Sequence, residues 1–302
     1  GIIFNRVSGD SHYRLLKKII EENCSIRCFG YIPSDPEIVL ESRHLGLIPV
    51  EEIQGLSDKI DRMACLVSKY VDIEGLLESL PDSHHSNDTP GFIKEVEGAG
   101  TGLKIAVAMD RAFSFYYSEN ISLMKHAGIE IVEFSPLRDK RLPDCIDGVY
   151  LGGGYPEVFA SELSANSGML EDIRGRCMDY MPVYAECGGL IYLSSGVIDR
   201  DGRLSPFVDF FNYRTVMTGR LQRFGYVNID YDGISVRGHE FHHSKADGAD
   251  AEALFEYKVL KESTGETWEC GLKKLNVLAG YPHIHFYSSP EFFKRIIKLW
   301  KR

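Results

Sequence analysis

The 302-residue sequence has no uncharged apolar run that reaches the roughly 18–20 residues of a membrane-spanning helix, and it has no internal repeat. It also lacks any surplus of positive charge. Lysine and arginine number 34 against 44 aspartates and glutamates, a net charge of −10, with no concentrated basic stripe. A nucleic-acid-binding surface shows the opposite sign, which excludes that class of partner. Cysteine pairing is missing as well. The seven cysteines (Cys24, Cys28, Cys65, Cys145, Cys177, Cys187 and Cys270) are odd in number and scattered, the habit of reduced thiols in a cytoplasmic protein. Cys24 and Cys28 are one close pair, but without a second pair or convergent histidines they do not spell a zinc site. The phosphate-cradling string Gly-x4-Gly-Lys-Ser/Thr is absent. What is present is a globular balance, 44% apolar and 26% charged, long enough for about two domains at ~100–200 residues each.

The chain opens on Gly1-Ile-Ile-Phe-Asn5, which reads as a buried strand already in progress, so it is expected to be the C-terminal part of something longer. Residues 10–22 place apolar side chains at 15, 16, 19 and 20, a helical spacing. A short strand near 27–32 ends at Pro33 and Pro36, and a second helix spans about 56–70 with Ser57 as N-cap. Residues 81–102, rich in Pro, Gly, Ser and Asp, read as a linker. From Leu103 onward, strands at 104–109, 128–134, 146–151 and 181–187 alternate with helices. That pattern predicts an α/β unit over 103–302 with a mostly parallel sheet and helices on both faces. Ligand chemistry in such sheets gathers at the carboxyl ends of the strands.

Two of those ends carry the main signals. Pro182-Val-Tyr-Ala-Glu-Cys187-Gly-Gly-Leu-Ile-Tyr192 is an apolar strand that stops at a cysteine before two glycines and a helix, a nucleophile elbow with Cys in place of Ser. The sharp turn exposes the thiol, the Gly188 N–H can face a developing oxyanion, and the helix N-terminus is expected to lower the thiol pKa. One strand earlier, Gly152-Gly-Gly154 leaves bare backbone, so an N–H of Gly153 or Gly154 can complete the oxyanion site. A thiolate nucleophile needs a base, and Tyr281-Pro-His283-Ile-His285 offers two histidines that share a strand face. In the run Arg237-Gly-His-Glu-Phe-His-His243 the spacing gives no single ligand face for a metal; contacts to a substrate or a domain interface fit it better.

Together these strings resemble the cobyrinic acid a,c-diamide synthase family. The matching segments are residues 1–7, Arg43-His-Leu-Gly-Leu47, Phe113-Ser-Phe-Tyr-Tyr-Ser-Glu-Asn120, Leu151-Gly-Gly-Gly-Tyr-Pro-Glu157, Val183–Gly189, Leu221-Gln-Arg-Phe-Gly-Tyr226 and Gly238-His-Glu-Phe-His242. The resemblance implies an ATP- and magnesium-dependent amidoligase in cobalamin or related tetrapyrrole biosynthesis. A class I glutamine amidotransferase domain over 103–302 would follow the C-terminal part (1–80) of a dethiobiotin synthetase-like P-loop domain. By the same resemblance Cys187 forms a glutamyl thioester and His283 is the base, with His285 standing where many relatives of the class carry Glu. Asn5 matches an adenine contact. Arg43, His44, Arg220, Arg223 and His239 are candidates for a tetrapyrrole polycarboxylate, cobyrinate or nickel-sirohydrochlorin. The absent P-loop would be supplied in cis or in trans; a homodimer is left open, and no covalently bound cofactor is expected. The competing readings are a peptidase or thioesterase on the same elbow, working without ATP, and a non-catalytic binding domain.

Overall fold

The structure is a computed structural model describing residues 1–40, 53–81 and 91–301, so Arg43 and His44 lie outside the described residues. It divides into two compact units, 1–88 and 89–302.

In the first unit, β1 (Ile2–Val7) and β2 (Cys28–Pro33) pair in parallel, with α1 (Asp10–Cys24) as the connection; α2 (Leu56–Tyr70) and α3 (Ile73–Glu78) follow. The start of α2 is Leu56, preceded by Gly55 in the left-handed region, so Ser57 lies inside the helix rather than capping it. Gly30 is required where β2 meets the end of α2: its φ is +132°, and a Cβ there would lie 2.2 Å from the Tyr70 carbonyl oxygen. The helices keep much of their apolar surface open. Helix α1 buries no side chain fully, and Leu15, at 58% exposure, shows how far this goes.

The second unit begins inside the stretch read as linker. Helix α4 (Gly91–Val96) buries Val96 completely and packs Phe92 and Ile93 on the core, while Lys294 bonds Glu95 at 3.3 Å. The apolar spacing 92, 93, 96 is helical, but breakers on both sides hide it from a periodicity reading.

Strands β3 (Lys104–Ala108), β4 (Glu130–Phe134), β5 (Gly148–Leu151) and β6 (Val183–Glu186) are all parallel, linked through α5 (Ser118–His126), α6 (Ala160–Ala165) and α7 (Ser167–Met178). Both faces are covered. Ala106, Val149 and Ala185 pack into one cluster with Leu163 and Ile173; Ile105, Tyr150 and Tyr184 pack into another with Phe286, Phe293 and Trp300. That two-sided burial is why these strands read as unbroken apolar runs.

After β6 come α8 (Gly188–Leu193), β7 (Ser194–Ile198), β8 (Leu204–Pro206) and β9 (Phe211–Met217). They are followed by β10 (Arg223–Tyr231), β11 (Ile234–His242), β12 (Ser244–Asp247), β13 (Leu254–Lys261), β14 (Glu266–Lys274), β15 (Val277–Gly280), β16 (His283–Ile284) and α9 (Pro290–Trp300). Strands β12, β9, β7 and β8 form a small separate sheet. The main sheet runs β16-β11-β10-β13-β14-β15-β6-β5-β3-β4. It is parallel from β15 to β4 and antiparallel from β15 to β16, so it is mixed. Because two residues separate β15 from β16, the antiparallel half must curl until its far edge returns to its near edge. The histidine strand therefore closes back toward the end of β6.

Candidate active site

Cys187 caps β6 with φ +44° and ψ −97°, a region that a side chain occupies only under strain. Its own amide donates to the Gly280 carbonyl at the end of β15 (2.7 Å), and its carbonyl accepts from Ile191 in α8 (3.0 Å). Strand and helix thus hold the elbow from both sides. The glycines beside it are sterically demanded. A Cβ on Gly188 would lie 2.9 Å from the Gly154 nitrogen and 3.0 Å from Pro156 Cδ, and one on Gly189 would lie 2.3 Å from the Leu151 carbonyl oxygen. The segment 154–156 therefore lies against the elbow.

His283 packs on the neighbouring Gly153: a Cβ there would lie 2.1 Å from His283 Cε1. The Gly153 amide is engaged elsewhere, in a bridge with Phe115 (Gly153 N–H to Phe115 O 3.3 Å, Phe115 N–H to Gly153 O 3.1 Å). That corrects its expected part in the oxyanion site, since a donor aimed at a backbone carbonyl is not aimed at the elbow. The Gly154 nitrogen lies against Gly188, whose own N–H reaches the Cys187 thiol. His285 follows β16 and points elsewhere, its ring edge-on to Tyr117 at 4.8 Å and tilted against Tyr287 at 5.6 Å. It lines a cavity of about 880 Å³ with Tyr117, Phe224, Tyr226 and Arg237.

Three residues that stand in the quoted segments but were given no role there surround this arrangement. Glu186, buried, accepts from Tyr184 Oη (2.7 Å), Tyr150 Oη (3.1 Å) and the Ile284 amide (3.1 Å). Asn120, also buried, donates to the Ile284 carbonyl (2.7 Å) and accepts from the Phe286 amide (2.8 Å). Between them, both sides of the histidine strand are fixed. Glu157 is the third; its Oε2 is closed off from solvent and has no hydrogen-bond partner. An ionisable residue inside an otherwise apolar strand, as at Glu186, is the one signal that could have drawn attention to this set.

The charges run against the expected thiolate. Burial, then the carboxylates of Glu157, Glu240 and Glu186, push the Cys187 thiol well up, and only the Gly188 N–H acts the other way. Burial outweighs the six-residue α8, which corrects the expectation of a lowered thiol. Burial together with His239 and His242 pushes His283 down to about 4. At neutral pH the pair is thiol and neutral imidazole.

The remaining candidates are placed as follows. His239 is the register partner of His283 across β11 and β16, edge-on to Tyr226 at 5.3 Å, and burial lowers its pKa. His242, on the opposite face of β11, stacks on Tyr281 (3.8 Å, 11°), with Nε2 3.6 Å from Glu240 Oε2. Strand alternation thus splits the 237–243 run between two faces. Arg223 pairs with Glu266 and lies over Trp268 at 4.2 Å, a commitment at odds with a substrate role. Arg220 stays exposed beside a smaller cavity formed with Thr218, Leu221, Gln222 and Lys245. In the first unit, Asn5 sits at a bulge of β1, where its Oδ1 accepts from the Arg6 amide (2.9 Å). Among the described residues no helix is long and apolar enough to cross a membrane.

A cysteine elbow at a strand end, facing bare glycine backbone and a histidine strand, defines the class I glutamine amidotransferase fold. A solved glutamine amidotransferase structure superposes with a TM-score of 0.50 at 16% identity, covering 66% of this chain and 99% of its own. Residues 104–291 match the CobB/CobQ-like glutamine amidotransferase domain. A cobyrinate a,c-diamide synthase of Caldanaerobacter subterraneus subsp. tengcongensis is 41% identical over 98% of this chain and 66% of its own length. One from Listeria innocua is 37% identical over 100% and 68%. The chain belongs to the cobyrinate a,c-diamide synthase family, and it spans about two thirds of the length of these relatives.

Proposed function

We propose that the chain carries the glutaminase part of an ATP-dependent amidoligase. Cys187 Sγ attacks the side-chain amide carbon of glutamine while His283 accepts the thiol proton. The imidazolium then returns that proton to the departing amine, ammonia leaves, and a glutamyl thioester remains for water to hydrolyse. The amides of Gly154 and Gly188 would face the tetrahedral oxyanion. The observation that carries this reading is the strained Cys187 backbone at the end of β6, roofed by Gly154 and Gly188.

The ammonia would amidate the a and c acetate groups of a tetrapyrrole, cobyrinate or nickel-sirohydrochlorin. ATP and magnesium would belong to the P-loop part, in cis or in trans, whose signature this sequence lacks. The apolar surface left open on α1 and α2 supports a covering partner for the first unit.

Glutamate release by purified residues 1–302, without ATP, tests the reading. Cys187→Ser should abolish it and Cys145→Ser should not, with no turnover of peptides or thioesters. Full activity in Cys187→Ser, or turnover confined to peptides or thioesters, would overturn it.

A further inference from the structure

Glu157 is not explained by the elbow chemistry. It lies in the turn 155–158, closed by the Val158 N–H to Tyr155 O bond (3.0 Å), directly after the loop that covers Gly188. Its Oε2 is shut off from solvent and accepts nothing. The carboxyl takes its own backbone N–H, but leaving its second oxygen unmatched in such a place costs about 1–3 kcal/mol or more, so a fold that keeps one there has a use for a cation. Of the other two carboxylates near the elbow, Glu186 is satisfied by Tyr150, Tyr184 and Ile284, and Glu240 takes Trp268 Nε1 on Oε1 (3.3 Å) with His242 Nε2 3.6 Å from its Oε2.

Glutamine brings the missing charge. Its α-ammonium is on a carbon three bonds from the amide carbon presented to Cys187. Resting on the glutaminase reading above, we propose that Glu157 receives the α-ammonium of glutamine and makes the site selective for the free amino acid over other primary amides.

Two further facts agree with this assignment. Of the carboxylates near the elbow, Glu157 raises the Cys187 thiol most, so it lies within electrostatic reach of the reacting sulfur. Burial holds Glu157 itself up at about 7, as for a carboxylate waiting for its counter-charge. Docking of an ammonium would then neutralise the main charge opposing thiolate formation, and binding of the correct substrate would ready the nucleophile.

The test compares kcat/KM for glutamine and for 4-carbamoylbutanoate, which has the same amide and carboxylate but no amine. One charge-assisted hydrogen bond should favour glutamine roughly 10- to 100-fold in the unaltered chain. Glu157→Gln should collapse that ratio toward one, mainly by raising KM for glutamine, while 4-carbamoylbutanoate turnover holds or rises because the charge opposing the thiolate is gone. Glu157→Asp, which keeps the charge with a shorter reach, should fall between the two. An unaltered chain that treats both amides alike overturns the proposal without any variant, and so does a Glu157→Gln ratio equal to that of the unaltered chain. Glutamate release that survives Cys187→Ser instead overturns the underlying glutaminase reading.

Discussion

His283 sits where a positive charge is hard to hold, in a buried site with His239 and His242 nearby. Its pKa of about 4 means that it remains a competent proton acceptor well below the 6.5 of an ordinary histidine. For Glu157→Gln turning over 4-carbamoylbutanoate, the acid limb of kcat/KM should therefore have its midpoint near 4, because that profile reports the free enzyme's base. With glutamine and the unaltered chain a second limb near 7 is expected, set by the Glu157 carboxylate. Midpoints near 6.5 for both amides would contradict the assignment. Removing the base should cost on the order of 10²–10⁴ in rate, so His283→Ala should be severely impaired. His285, held against Tyr117 and Tyr287, should matter less to glutamine hydrolysis, and steady-state kinetics on the two alanine variants would decide.

Strand β16 is two residues long and cannot hold itself in place; Glu186 and Asn120 do that for it. Glu186→Ala would orphan two tyrosine hydroxyls and the Ile284 amide at once, a loss of roughly 3 kcal/mol, with glutaminase activity falling alongside. Glu186→Gln keeps the shape and should be milder. Burial raises Glu186 from 4.5 to about 7. The native state therefore binds the extra proton between those values, and this contribution is complete below pH 4.5 and lost as pH rises through 7. Thermal unfolding from pH 5 to 7.5 should show the unaltered chain losing stability relative to Glu186→Gln; parallel curves would refute that. The parallel strands could be read from sequence because both their faces are buried. The Asp232-Gly233 turn of the β10–β11 hairpin is equally plain, with both residues at positive φ, yet it declares only a local pair and not the curl of the sheet. Cys187 and the pair His283 and His285 show through residue chemistry, and the family resemblance singles out His283. Glu186 and Asn120 stand in the quoted segments, but their roles stay silent because their partners on β16 lie 98 and 164 residues away along the chain.

At the scale of the whole chain, the first unit depends on surroundings in a way that the second does not. Among the described residues its two strands and three α-helices leave Leu15, Ile19 and Ile60 open, whereas residues 89–302 enclose core clusters on both faces of the main sheet. Within the second unit, α4 lies against α9, with Phe92 edge-on to Tyr287 at 4.7 Å and Lys294 on Glu95. The beginning and end of that fold are thus neighbours, and its linear order of elements is not essential to it. A circularly permuted chain, joined from Trp300 to Gly91 by a short flexible bridge and reopened between Asp232 and Gly233, should fold and keep most of its glutamine hydrolysis. A permutant reopened between Gly280 and His283 should lose it, because that cut separates the carbonyl that holds Cys187 from the strand that carries its base. Equal activity in the two permutants would show that nucleophile and base are positioned independently of the backbone that joins them.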